Sequence, residues 1–208
     1  RGPVEVVSIA EEDPQIRSVL CLADSFQELP ISPLYDAFVR RPTGFVEQIT
    51  GHPSYRVDLS SPITQGQSWQ LGLAVTHLFH SEIKGGNFRP PRDLIWTTGK
   101  VTPKGDVQPV DEIAKKWQVT AEELAKNSPD CDRILIIAHA SNIEEIQRFE
   151  NSIKLKSEIV YVPVSSISDA AVYFNLTVGR ILPIRNKMQV GAIKKYAISA
   201  FFTIFCLV

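Results

Sequence analysis

The sequence predicts an α/β fold, a mixed sheet with helices packed on it. Two observations carry this. Ile134-Leu135-Ile136-Ile137 is an unbroken apolar run, as in a strand buried on both faces, and Ile159 to Val164 is another apolar strand. Each run leads into a capping pattern and then a helical stretch. Asn142 with Glu145 opens a helix to about Glu150, and Ser166 with Asp169 opens one through Phe174. Strand, cap and helix therefore repeat, which excludes an all-β fold and a helix bundle.

The elements before these follow the same logic. Val4 to Ile9 and Val19 to Leu22 are short apolar runs among acids and are expected to be strands. Pro30, Pro33, Pro42 and Pro53 punctuate the next stretch, where Tyr35 to Val39 and Phe45 to Ile49 fit either short helices or strands. Tyr55-Arg56-Val57-Asp58-Leu59 alternates apolar and polar residues, the period of a half-buried strand. A polar loop with Pro62 leads to a helix from Ser68, whose broad apolar face holds Trp69, Leu71, Leu73, Val75, Leu78 and Phe79. Gly85-Gly86-Asn87 and Pro90-Pro91 mark a loop. Leu94 to Thr97 and Lys100 to Thr102 are expected as strands, with Pro103 to Asp106 as a turn, together suggesting a hairpin. A helix is expected from about Asp111 to Gln118. Thr120 with Glu123 forms a capping-box pattern that predicts a second short helix there.

Composition sets the outer limits. A chain of 208 residues buries roughly 70% of its unfolded surface and needs no disulfide or metal staple. With 44% hydrophobic and 22% charged residues it is neither disordered, collagenous nor a coiled coil. A net charge of -1 gives no basic excess for nucleic acid. Cys21, Cys131 and Cys206 are odd in number, widely spaced and free of any CxxC pair, so no zinc ribbon or disulfide framework is expected. His77 and His80 share one helix face without an evident third ligand, and no metal is expected there. No GxGxxG and no GxxxxGK[ST] occurs, which leaves a nucleotide- or small-molecule-binding module without a motif.

The end of the chain is different in character. From Asn175 onward there are Arg180, Arg185, Lys187, Lys194 and Lys195 but no acid, and residues 197–208 are almost wholly apolar. Two readings stand: a buried last strand or helix, or the first part of a membrane span. Twelve apolar residues are fewer than the roughly 20 a spanning helix needs. The flanking basic residues favour the anchor, with the domain on the cytoplasmic side of the membrane. The organisation expected is thus a domain over 1–174 and a basic segment leading to a helical anchor over 175–208.

Three segments carry the functional signal. Gly66-Gln67-Ser68 stands at the loop-to-helix junction. Thr98-Gly99-Lys100-Val101-Thr102-Pro103-Lys104-Gly105-Asp106-Val107-Gln108-Pro109-Val110 runs on into Ile113 and Lys116. Ile134 to Asn142 is a strand ending near an asparagine, and Val160 to Phe174 adds a last strand and helix. Taken together, they resemble the proteolytic domain of Lon-type serine peptidases over roughly residues 57 to 174. That family has Gly-Pro-Ser-Ala-Gly at the first segment. At the second it has Thr-Gly followed by Gly-x-Val-x-Pro and a helix bearing a lysine. The resemblance implies a Lon-like mixed sheet, Ser68 as nucleophile, Lys116 as its base, Thr98 as a hydrogen-bond partner of the amine, and Gly66 in the turn before Ser68. It also implies a polypeptide substrate, no cofactor, ring-like self-assembly, and an ATPase supplied by a partner or another domain. The departures are Gln65 where an aspartate is common, and Trp69 and Gln70 where small residues follow the serine. Lon-like domains that lost the dyad exist, so a non-catalytic scaffold or docking domain beside a membrane is the alternative.

The chemistry sets a condition on Lys116. A serine hydroxyl needs a neighbour to take its proton. A lysine serves only when neutral, and its free pKa is about 10.4. Burial in an apolar setting lowers it by up to ~3 to 5 units. Ile113 and Trp117 flank Lys116 and provide such a setting. Lys115 points about 100° away on the same helix, so only one of the two lysines can face Ser68.

Overall fold

The computed structural model describes residues 2–23, 25, 27–85, 93–127, 131–149, 155–176 and 204–206. Its centre is a seven-stranded mixed sheet. In chain order the elements are β1 (Val4–Glu11), β2 (Val19–Leu22), α1 (Ser32–Val39), α2 (Val46–Thr50), β3 (Tyr55–Leu59), α3 (Gln70–Lys84), β4 (Leu94–Thr98), β5 (Lys100–Val101), β6 (Val107–Gln108), α4 (Ile113–Asn127), β7 (Arg133–Ala138), α5 (Ala140–Phe149), β8 (Glu158–Pro163), α6 (Ile167–Phe174) and β9 (Ile204–Cys206). The sheet runs β2-β3-β1-β9-β4-β7-β8, and β5 pairs β6 in a separate small ribbon.

The two expected strand–helix units lie side by side. β7 and β8 are parallel neighbours in register Ile134↔Ile159, and β4 joins β7 in parallel, Trp96↔Ile136. All five residues of β4 are buried. Alternation along these strands divides two cores. Leu94 and Trp96 face a core with Ile113, Trp117, Ile134 and Ile146 from α4, β7 and α5. Ile95 and Leu135 face the opposite core with α3 and α6. A continuous apolar run is thus what a parallel strand covered on both sides requires. The bases of β4 and β7 are tied by Arg133, whose Nε and Nη2 donate to the two carboxylate oxygens of Asp93 at 3.0 and 2.6 Å.

Several expectations need correction. α4 is one continuous helix, with no break for a capping box at Thr120. The Thr120 hydroxyl instead donates back to the Lys116 carbonyl at 3.1 Å and accepts the Trp96 indole N–H at 3.1 Å. The hairpin joins β5 to β6 around the turn before Asp106, while β4 belongs to the large sheet. α5 begins at Ala140, so Asn142 lies inside its first turn and is not its cap. Ser166 caps α6 as expected, in a full capping box with Asp169. The stretches at Tyr35 and Phe45 are helices, because Tyr35, Phe38 and Val39 recur at helical spacing and are all buried.

The apolar end of the chain is also corrected. Ile204–Cys206 is a strand, not part of a helix, and sits between β1 (antiparallel, Val4↔Cys206) and β4 (parallel, Trp96↔Phe205). The rest of the expected anchor, residues 197–203, 207 and 208, lies outside the described residues. Among the described residues no helix is long and apolar enough to cross a membrane.

Candidate functional site

The site assembles where β4 ends, at Thr98-Gly99, on the carboxyl edge of the parallel strands. Such edges are where open α/β sheets place their ligands. Three chain segments bear the residues concerned.

The first is the loop bearing Gly66 and Ser68. Gly66 has φ +82°, the left-handed region, and a Cβ built on it would meet nothing within 4 Å. Glycine is needed there for its backbone alone. The turn then enters α3. The helix cap falls at Trp69, with no capping hydrogen bond from its side chain, so Ser68 precedes the cap position. The first turn is satisfied differently: Leu71 N–H donates to Gly99 C=O at 3.0 Å, and Gly99 N–H donates to Ser68 C=O at 2.9 Å. Gln70 adds its side-chain oxygen, which accepts Val101 N–H at 2.9 Å. The start of α3 is therefore docked onto the strand that follows Thr98. This close approach explains Gly99, where a Cβ would lie 3.0 Å from Leu71 Cδ2 and 3.1 Å from Val107 Cγ1.

Trp69 is fully buried. Its ring turns into the core against Phe38 (5.5 Å between centroids, edge-on) and Tyr35, and its N–H donates to Gly66 C=O at 2.8 Å. It thus braces the Gly66 turn from inside. Ser68 itself is 7% exposed.

The second segment is β4. Thr98 alternates with Trp96 and Leu94, so its side chain belongs to the α4 face of the sheet. Its hydroxyl is buried and has no hydrogen-bond partner within the described protein. A buried hydroxyl without a partner costs about 1–3 kcal/mol, and the neighbouring Thr97 hydroxyl is in the same state.

The third is α4. Ile113, Trp117, Thr120, Ala121 and Leu124 form its buried face. Trp117 stacks edge-on against Trp96 at 5.3 Å, and Thr120 takes the Trp96 N–H. Lys116 lies one turn N-terminal to Thr120 on this helix, which packs through Trp117 and Thr120 against Trp96 on the face of β4 that Thr98 shares. Lys116 is half-buried while Lys115 is exposed. Burial lowers the pKa of Lys116, opposed by the nearby carboxylates of Glu112 and Asp111.

Two contributors are not visible as such in the sequence. Gln70, a departure from the family pattern, holds β5 onto α3. Asn142, which has the look of a cap, binds Val110 before α4. No local pattern announces either, because both partners are backbone groups far away in sequence. Among the described residues no group of His, Cys, Asp and Glu could hold a metal ion, and the buried helix histidine has another duty. His77 is fully buried with its Nε2 2.9 Å from the Tyr35 hydroxyl, and burial lowers its pKa to about 3.

No protein-family model and no curated protein matches this chain.

Proposed function

We propose that this chain is a Lon-like serine peptidase domain that hydrolyses peptide bonds by a Ser68–Lys116 dyad. The observation that carries the reading is the docking of the Ser68 segment onto Thr98-Gly99, where the Gly99 N–H donates to Ser68 C=O. The half-buried Lys116 stands on the helix that packs on the Thr98 face of the sheet. The lowered pKa of Lys116 supports its role in direction and cause.

In this reading the neutral Nζ of Lys116 takes the proton of Ser68 Oγ as Oγ attacks the peptide carbonyl carbon. The tetrahedral oxyanion forms beside the N-terminal turn of α3, where the helix dipole favours negative charge. Collapse breaks the C–N bond, and the Lys116 ammonium returns its proton to the leaving amine. Water, deprotonated by Lys116, then hydrolyses the Ser68 ester to a carboxylic acid and restores the hydroxyl. Thr98 Oγ1 accepts a hydrogen bond from the lysine amine and keeps it pointed at Ser68. The substrate is a polypeptide. Unfolding power comes from an ATPase in a partner or another domain, and assembly into a homo-oligomer fits the family's habit. A membrane anchor within 197–208 is no part of the proposal, since Ile204–Cys206 serves the sheet.

The alternative, a non-catalytic Lon-like scaffold, has one observation in its favour: Ser68 is only 7% exposed. One experiment separates the two. Peptidase activity is measured on an unstructured protein such as casein for wild type, S68A, K116A and K116R. Activity in wild type that rises with pH through the lowered lysine pKa and vanishes in all three variants supports the dyad. Arginine fails because guanidinium keeps its proton. K116A with wild-type activity removes the dyad, and a folded wild type that cuts nothing leaves the scaffold.

A further inference from the structure

We propose that Asn142 is a positioning residue that sets where α4 presents Lys116, by gripping the backbone of Val110. The role of the lysine rests on the peptidase reading above, but the grip stands on the geometry.

Asn142 is 3% exposed. Its Oδ1 accepts Val110 N–H at 2.9 Å, and its Nδ2 donates to Val110 C=O at 2.8 Å. The side-chain amide thus treats Val110 as a strand partner would, satisfying both backbone groups at once. Its own helix does not need it as a cap, because Asn142 N–H already bonds to His139 C=O at 2.9 Å.

The place gripped is the short link between β6 and α4. β6 ends at Gln108, and Pro109 has no N–H to offer. Asp111 and Glu112 follow Val110, and Glu112 sits at φ +55°, a left-handed conformation that L side chains seldom adopt. Its carbonyl accepts Lys116 N–H at 3.0 Å, so the reversal of the chain at Glu112 and the orientation of Lys116 are one piece of geometry. A second contact from α5 meets the same turn: Glu145 Oε1 lies 3.5 Å from Ala114 N, at the outer limit of a hydrogen bond. The strand end beneath α5 and the turn above Lys116 are therefore linked through one amide. Only a side chain with donor and acceptor at this length can do so. Glutamine is a methylene too long and aspartate lacks the donor.

The consequence is a defined burial for Lys116. The charged groups facing its turn are Asp111 and Glu112 ahead of the helix and Glu145 on α5. Loosening the Val110 grip lets the first turn of α4 swing outward. Lys116 then meets more water, and its pKa rises toward that of an ordinary lysine.

The test reads Lys116 directly. Wild type, N142A and N142L are acylated with a limiting amount of acetic anhydride over a range of pH, and the Lys116 peptide is followed by mass spectrometry. The midpoint for Lys116 is expected to move up in both variants, since neither uncharged side chain can bond the Val110 backbone. Far-ultraviolet circular dichroism should be unchanged. On casein, kcat should fall ~10- to 100-fold with KM unchanged, and the acid limb of the rate profile should follow the acylation midpoint. If N142A does not fold, N142L, close to asparagine in size, decides alone. Folded variants in which Lys116 titrates as in wild type overturn the proposal, whatever their stability. An upward midpoint in a protein whose wild type cuts no peptide supports the grip and overturns only the peptidase reading.

Discussion

Thr120→Val tests the contact that sets α4 against β4. Valine keeps the shape of threonine and removes its hydroxyl. Trp96 and Thr120 are both fully buried, and the indole N–H has the Thr120 oxygen as its partner at 3.1 Å. After the substitution that donor has no acceptor and no water, a cost of about 1–3 kcal/mol. The loss of the hydroxyl's own bond to the Lys116 carbonyl adds little, since a helical carbonyl keeps its i+4 amide partner. We expect a total of about 2 kcal/mol, read from urea unfolding with the slope unchanged. For a domain of this size it equals a fall in melting temperature of roughly 4–8 °C. Trp96→Phe provides the control, because phenylalanine has no N–H to strand. In that background Thr120→Val should cost about 1 kcal/mol less than in wild type, a coupling typical of residues in contact. Equal costs in the two backgrounds would show that the bond does not hold α4 against β4.

Two further outcomes are expected. Gly99→Ala should destabilise by about 1–3 kcal/mol in urea unfolding, since its Cβ would come within 3.0 Å of Leu71 and 3.1 Å of Val107 in a filled site. His77 stays neutral when folded, its pKa lowered from 6.5 to about 3 by burial, whereas unfolded chains take up its proton below about 6.5. The unfolded state then binds more protons, so stability falls as pH drops from about 6.5 toward 3, and His77→Phe should flatten that part of the curve in pH-dependent melting.

Much of this fold is legible in the sequence because parallel strands buried on both faces and capped helices are local signals. β7 is readable by its burial, α6 by its cap at Ser166 and β3 by its alternation, whereas β8 is a half-exposed edge strand and α5 starts before Asn142. The errors have a common cause. Threonine at 120 and asparagine at 142 look like caps, but each spends its polar atoms on a distant partner: the Trp96 indole in one case and the Val110 backbone in the other. The β5–β6 ribbon is hard to place from sequence because β4 and β5 are separated by Gly99 alone, and only tertiary pairing assigns β4 to the large sheet. The end of the chain reads as an anchor because an apolar run does not say whether lipid or a sheet will cover it. Gly66, Ser68, Thr98 and Lys116 are named by the resemblance alone, whereas Gln70 and Asn142 act on backbone groups and leave no pattern to find.

The position of β9 has a consequence for how the chain is made. β1 and β4 do not pair with each other, because β9 lies between them. During synthesis β1 leaves the ribosome first among the strands, and β9 follows all the others. Through that interval the two halves of the sheet face one another across a vacant lane, each with an open row of backbone donors and acceptors. Open edges of this kind recruit whatever extended chain is near. Domain-swapped pairs arise when such a lane is filled by the same strand of a neighbouring copy. Crowded nascent chains are therefore the condition under which this sheet is most exposed to mispairing, and slow dilution during refolding is the condition that lets each chain close its own lane.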